Sequence, residues 1–268
     1  MKGRVLIVAG SDSGGGAGLQ ADIKTVTCLK GYAMTAITAL TAQNTQGVYG
    51  VSGVDPAFIQ QQMRVVLNDI GADCIKTGML HDTPTIEAVA EVLSEVPEIP
   101  VVVDPVMVAQ SGAVLLEAEA VRTINRDLMP HATVITPNVP EAEKLAGLEI
   151  RTTQDMDFAA QTLITLGVPA ALVKGGHLKS QMASDVLASQ GNMHVFESPR
   201  IDTQSTHGTG CTLASGIATG LAQGMDLVGA VERAREYLQE ALRTAPGYGR
   251  GNGPLNHAVT VRDFDVEF

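Results

Sequence analysis

The chain has 268 residues, 45% of them hydrophobic, enough to fill the core of one large α/β domain. Its net charge of −11 argues against nucleic-acid or anionic-membrane partners, so an anionic substrate would need backbone donors, lysines or a divalent cation gathered at one place. Three unclustered cysteines, Cys28, Cys74 and Cys211, match neither a disulfide framework nor a zinc site and fit a reducing cytoplasm. The N-terminus does not read as a signal peptide, and no apolar run is long enough to span a bilayer.

Val5-Leu6-Ile7-Val8-Ala9 reads as a strand buried on both faces. It runs into Gly10-Ser11-Asp12-Ser13-Gly14-Gly15-Gly16-Ala17-Gly18, and a helix is predicted over 19–29 with Leu19, Ile23, Val26 and Leu29 inward. Ligands bind at such strand–turn–helix junctions in open parallel sheets, and the polar set Ser11, Asp12, Gln20 and Asp22 favours that over a plain linker. A second strand over 33–42 ends at Gln43, whose amide offers one donor and one acceptor to a flat heterocycle; a solvated turn residue would look the same. A helix over 56–69 and a short strand over 73–77 follow, ending in Gly78-Met79. Met79 is either core or an adaptable pocket wall.

A helix over 83–96 precedes Pro100 to Met107, which reads as a buried strand ending in Asp104. An Asp at that strand end is placed for a metal or phosphates, or to cap a turn. A loop containing Gln110-Ser111-Gly112 leads to a helix over 117–128 and a strand over 133–136. Asn138 is an N-cap for the next helix, with Glu141 in its first turn. After a helix over 152–166, a strand from Ala170 ends in Lys174-Gly175-Gly176-His177, where Lys174 either meets phosphates or snorkels from an edge. Residues 184–189 and 193–197 read as a hairpin, and a last helix spans 226–242.

Before that helix lies Thr206-His207-Gly208-Thr209-Gly210-Cys211-Thr212, a polar turn that becomes a helix with Leu213, Ile217 and Leu221 on one side. Free N–H groups and the positive end of the dipole make such a start an anion site. The same position would lower the thiol pKa of Cys211. A glycine-rich loop opening an ordinary buried helix would share the pattern, and it is neither a Walker A loop nor the six-residue dinucleotide fingerprint.

The alternation of β and α predicts one three-layer α/β/α domain over 1–268, with a mostly parallel sheet and no room for a second, fused domain. Asp12, Gln43, Asp104, Lys174 and the Cys211 turn fall at strand ends or helix starts, which share one edge of such a sheet.

Several motifs together resemble the hydroxymethylpyrimidine/phosphomethylpyrimidine kinase family, a ribokinase-like branch. The resemblance covers almost the whole chain. It rests on the stretch from Ala9 to Asp22, Thr41-Ala42-Gln43-Asn44-Thr45, Lys76-Thr77-Gly78-Met79-Leu80, Val103-Asp104-Pro105-Val106-Met107, Thr136-Pro137-Asn138 with Glu141, Val173 to His177, Thr206 to Thr212, and Gly253-Pro254-Leu255-Asn256-His257. The N-terminal Gly-Ser-Asp stretch and His-Gly-Thr-Gly-Cys are the specific part. What the resemblance implies is ATP-dependent phosphorylation of 4-amino-5-hydroxymethyl-2-methylpyrimidine and then of its monophosphate. Gly208, Thr209 and Gly210 match the anion hole, with Cys211 at the position of the base. Gly10, Asp22, Gln43, Met79 and Val106 match the pyrimidine pocket. Lys174, Asn138, Thr206 and Asp104 match the ATP side, with Glu141 and Asp104 toward Mg²⁺. A homodimer is also implied. Ser13-Gly14-Gly15-Gly16 has one glycine more than the commoner pattern, and Gln204-Ser205 precedes Thr206; neither touches an assigned group. A pyridoxal or pyridoxine kinase and a non-catalytic pyrimidine sensor are the alternatives. A NAD-linked oxidoreductase lacks its fingerprint.

Overall fold

A computed structural model describes residues 1–107, 118–176 and 181–262. The Gln110-Ser111-Gly112 loop, Glu117 and His177 lie outside the described residues. Strand β1 (Arg4–Asp12) leads to α1 (Gly18–Cys28), β2 (Tyr32–Asn44), β3 (Gly47–Gly53) and α2 (Pro56–Asp69). There follow β4 (Cys74–Thr77), α3 (Thr83–Ser94), β5 (Val101–Val103), α4 (Ala118–Thr123) and β6 (Val134–Ile135). Then come α5 (Val139–Ala146), α6 (Thr153–Thr165), β7 (Ala170–Lys174), β8 (Met182–Ser189), β9 (Asn192–Pro199), α7 (Thr209–Ala222) and α8 (Leu227–Arg243).

The described strands form one nine-stranded sheet in the order β3-β2-β1-β4-β5-β6-β7-β8-β9. Strands β2 through β7 in that order are parallel, and β3, β8 and β9 pair antiparallel at the edges. The chain leaves β1 toward β2 and later returns to β1's other side at β4. This reversal of direction opens a crevice beyond the strands' carboxyl ends.

The apolar run of β1 divides by the two-residue period of a strand. Val5, Ile7 and Ala9 pack on the α1, α7 and α8 face, while Leu6 and Val8 join Ile59, Met63 and the α2–α6 face. Three layers result, as the alternation predicts. Small residues bring α7 close to α8: a Cβ at Gly216 would lie 2.8 Å from that of Ala234. Two expectations shift locally, and one edge strand carries no sequence signal. The strand expected to end in Asp104 ends at Val103, which leaves Asp104 for the crevice. Residues 47–53, glycine-rich and without apolar alternation, form the edge strand paired to β2. Ile23 lies 39% exposed, its inward place on α1 taken by Asp22 and Thr25.

Candidate active site

A cleft of about 430 Å³ lies at the carboxyl edge of the sheet, under the start of α7. The glycine turn before α7 is shaped by Gly208, at φ +85° in the left-handed region, where a Cβ would also run into the Gly16 carbonyl. No side chain among the described residues caps this helix. Thr209 N donates to Thr206 O at 3.4 Å, the N–H groups that follow in the first turn suit a ligand anion, and Gly208, Thr209, Gly210 and Cys211 all line the cleft. A Cβ at Gly210 would come 3.3 Å from Lys174 Nζ and 3.7 Å from Asp104 Oδ2, so the turn sits directly on those two groups.

Lys174 ends β7 and donates to Asp104 Oδ1 at 2.9 Å. Asp104 is 2% exposed, and its Oδ2 has no partner among the described residues. Asn138 and Glu141 form a reciprocal capping box at the head of α5. The Asn138 side chain accepts from Glu141 N at 2.9 Å, and Glu141 Oε2 accepts from Asn138 N at 2.8 Å. Burial pushes the Glu141 carboxyl up to about 7, against the pull of Lys174. Among the described residues, no three metal-binding side chains cluster. An orphaned Asp104 oxygen beside Glu141 instead fits a hard cation that takes its remaining ligands from phosphate and water.

Gln43 stands at the tip of β2. Its Oε1 accepts from Thr41 Oγ1 at 3.2 Å, and its Nε2 lies 3.4 Å from His207 Nε2. Met79 forms a wall opposite Gly10, where a Cβ would lie 3.2 Å from the Met79 sulfur. Val106 and Thr206 complete this set along the lining. Asp12, 3% exposed, is a fastener rather than a ligand group. Its carboxylate accepts from the N–H groups of Gly14, Gly16 and Ala17 and pairs with His207 Nε2 at 2.9 Å. Burial would raise its pKa, but His207 and the backbone donors hold it below the usual carboxylate range.

Two expectations are corrected. Asp22 does not line the cleft; it is fully buried beneath it, accepting from Lys76 Nζ at 3.0 and 2.9 Å and from Ser215 Oγ at 2.7 Å. The residue that reaches the lining is Lys76, which the sequence hides inside a buried strand. A lone lysine in an otherwise apolar, doubly covered strand is the signal that points to it. The Cys211 thiol is not lowered. Burial pushes it up to about 12, although Lys76 pulls the other way. At the far end, Asp185 and Arg235 form an ion pair absent from the sequence reading. Asp185 also accepts from Gly175 N at 2.9 Å, and Arg235 donates to Ser198 Oγ at 3.0 Å.

Fold and cleft together define a ribokinase-like phosphotransferase scaffold. The family model described as phosphomethylpyrimidine kinase matches residues 12–256, and this chain belongs to that family. It is 51% identical over 262 residues to the thiamine biosynthesis bifunctional protein ThiED of Geobacter sulfurreducens, covering 98% of this chain and 54% of that protein. It is 44% identical over 253 residues to a hydroxymethylpyrimidine/phosphomethylpyrimidine kinase of Streptomyces coelicolor, covering 94% and 93% of the two chains. Among solved structures, the ADP complex of Bacillus subtilis pyridoxal kinase superposes with a TM-score of 0.90 at 37% identity, covering 96% and 98%. No described helix is long and apolar enough to cross a membrane.

Proposed function

We propose that this chain phosphorylates 4-amino-5-hydroxymethyl-2-methylpyrimidine with ATP, and then phosphorylates the monophosphate to the diphosphate. The observation that carries the reading is one cleft joining two chemistries. The uncapped start of α7 with Lys174, Asp104 and Glu141 lines the same cleft as the Gln43–Met79 pair. Gln43 donates to a ring nitrogen and accepts from the exocyclic amine, while Met79 and Val106 cover the ring faces. Asn138 and Thr206 border the nucleotide, and Leu238 and Leu242 supply apolar wall beyond them.

Bound Mg²⁺-ATP supplies the phosphoryl group and the divalent charge that neutralises it. Phosphoryl transfer passes through a loose transition state, so positioning and electrostatic stabilisation dominate. The backbone N–H groups of Gly208 to Cys211 hold the developing negative charge, and Lys174 neutralises the remainder. Asp104 and Glu141 would hold the divalent cation through their carboxylate oxygens. Cys211 takes the hydroxyl proton in the first transfer. The second acceptor is already an anion and asks less of it. A homodimer in the cytoplasm completes the proposal. Following the ³¹P signals of ATP with the free pyrimidine tests it: a phosphomonoester and then a diphosphate must appear.

A further inference from the structure

Among the described residues, the bulkiest fully buried side chain is that of a lysine, Lys76. An ammonium taken out of water is costly unless it is paired. Among the described residues, the acceptors that Nζ meets are the two oxygens of Asp22, at 3.0 and 2.9 Å, which leaves one of its three N–H groups uncommitted there, at the cleft wall it lines. Asp22 Oδ1 also receives Ser215 Oγ at 2.7 Å. Ser215 follows Cys211 by four residues on α7, so both share one face, a single turn apart. Cys211, one turn before Ser215, and Lys76 both line the cleft beside this cluster. Gly78 leaves the room: a Cβ there would lie 3.0 Å from Lys76 Nζ.

We propose that Lys76 is a positioning residue for the phosphoryl transfer: its ammonium, held by an Asp22 carboxylate that Ser215 fixes in turn, stabilises the anionic form of the Cys211 sulfur that accepts the substrate's hydroxyl proton. This rests on the reading of Cys211 as proton acceptor. In that step the acceptor's O–H bond breaks, and the oxygen forms the new bond to phosphorus with a lone pair. The bridging P–O bond breaks and its electron pair leaves with ADP. The proton ends on Sγ, which enters as thiolate and leaves as thiol, and then passes to water. The groups that face Cys211 are Lys76 from β4, Asp22 and the Gly18 N–H from α1, and Asp104 after β5, with Lys174 on β7 coupled to the same sulfur. The two carboxylates and burial oppose its ionisation, whereas Lys76 and Gly18 favour it. Lys76 keeps its charge: burial would lower its pKa, but Asp22 lifts it above the ordinary lysine value.

The test compares the otherwise native pair with Lys76→Met/Asp22→Asn, both in a Cys28→Ser background. The double variant buries no unpaired charge, so it remains informative where Lys76→Met alone fails to fold. Alkylation of Cys211 by iodoacetamide is followed against pH by mass spectrometry. Asp22 opposes ionisation of Cys211, but Lys76 is the larger charge effect on it, so the titration midpoint of Cys211 is expected higher in the double variant. Turnover of the alcohol is expected to fall at least about tenfold, with that of the monophosphate falling less. Equal midpoints overturn the proposal. Undiminished alcohol turnover by Cys211→Ser overturns the proton-acceptor reading beneath it. The two failures are distinct, because one is read from alkylation and the other from turnover.

Discussion

Asp12 and His207 stand 195 positions apart in sequence and 2.9 Å apart in the fold. Their pairing ties the glycine-rich loop after β1 to the turn before α7, so the two ends of the chain build one site. Replacing Asp12 by alanine frees three backbone N–H groups and the His207 ring at once. We expect Asp12→Ala to destabilise the protein by about 3 kcal/mol. Activity should fall about a hundredfold, because a small misplacement of the anion turn is costly. Chemical denaturation and steady-state kinetics on one preparation measure both.

Gly208→Ala tests the turn itself. The residue adopts φ +85°, and its added Cβ meets the Gly16 carbonyl. A loss of at least about 2 kcal/mol is expected from backbone strain and clash. The turnover number should fall by about two orders of magnitude or more, as donors are lost from the developing charge. Wild-type turnover from this variant would deny the turn its role.

Gln43→Ala separates recognition from chemistry. Gln43 is half-buried at a strand tip, and its amide makes only the long contacts to Thr41 and His207 among the described residues, so Tm should move by no more than about 2 °C. Two hydrogen bonds to the pyrimidine are lost, and the KM should rise by roughly ten- to a hundredfold. A KM that stays put while stability drops would mark Gln43 as structural.

His257 gives a pH signature. It is 5% exposed, its Nε2 lies 2.9 Å from Thr212 Oγ1, and burial lowers its pKa from 6.5 to about 4. The unfolded chain binds this proton first, so stability is fully present above pH 6.5 and falls with pH down to about 4. The loss amounts to about 3 kcal/mol over that window. His257→Gln should flatten this part of the stability profile in denaturation at pH 7 and pH 4.5; an unchanged slope would assign the acid sensitivity elsewhere.

The layers and nearly all of the cleft were legible in the sequence, because buried parallel strands read as apolar runs and their carboxyl ends carry the polar residues. Gly10, Gln43, Met79, Asp104, Lys174 and Cys211 converge for that reason. Local reading failed where the partner lies far along the chain. Asp22 reads as a pocket residue beside a glycine loop, but its side chain belongs to Lys76, 54 residues away. Arg235 sits among apolar positions of α8 because Asp185 on β8 meets it there. The thiol of Cys211 follows burial rather than the helix start, and burial is a property of the assembled layers.

The most direct measurement of the central claim is ATP consumption by the purified protein with Mg²⁺, offering hydroxymethylpyrimidine, its monophosphate and pyridoxal separately. The account predicts turnover of both pyrimidines, with kcat/KM for pyridoxal at least about tenfold lower. Preference for pyridoxal would contradict the Gln43–Met79 pocket while leaving the anion turn intact. Tight pyrimidine binding with no ATP consumed would contradict the kinase itself.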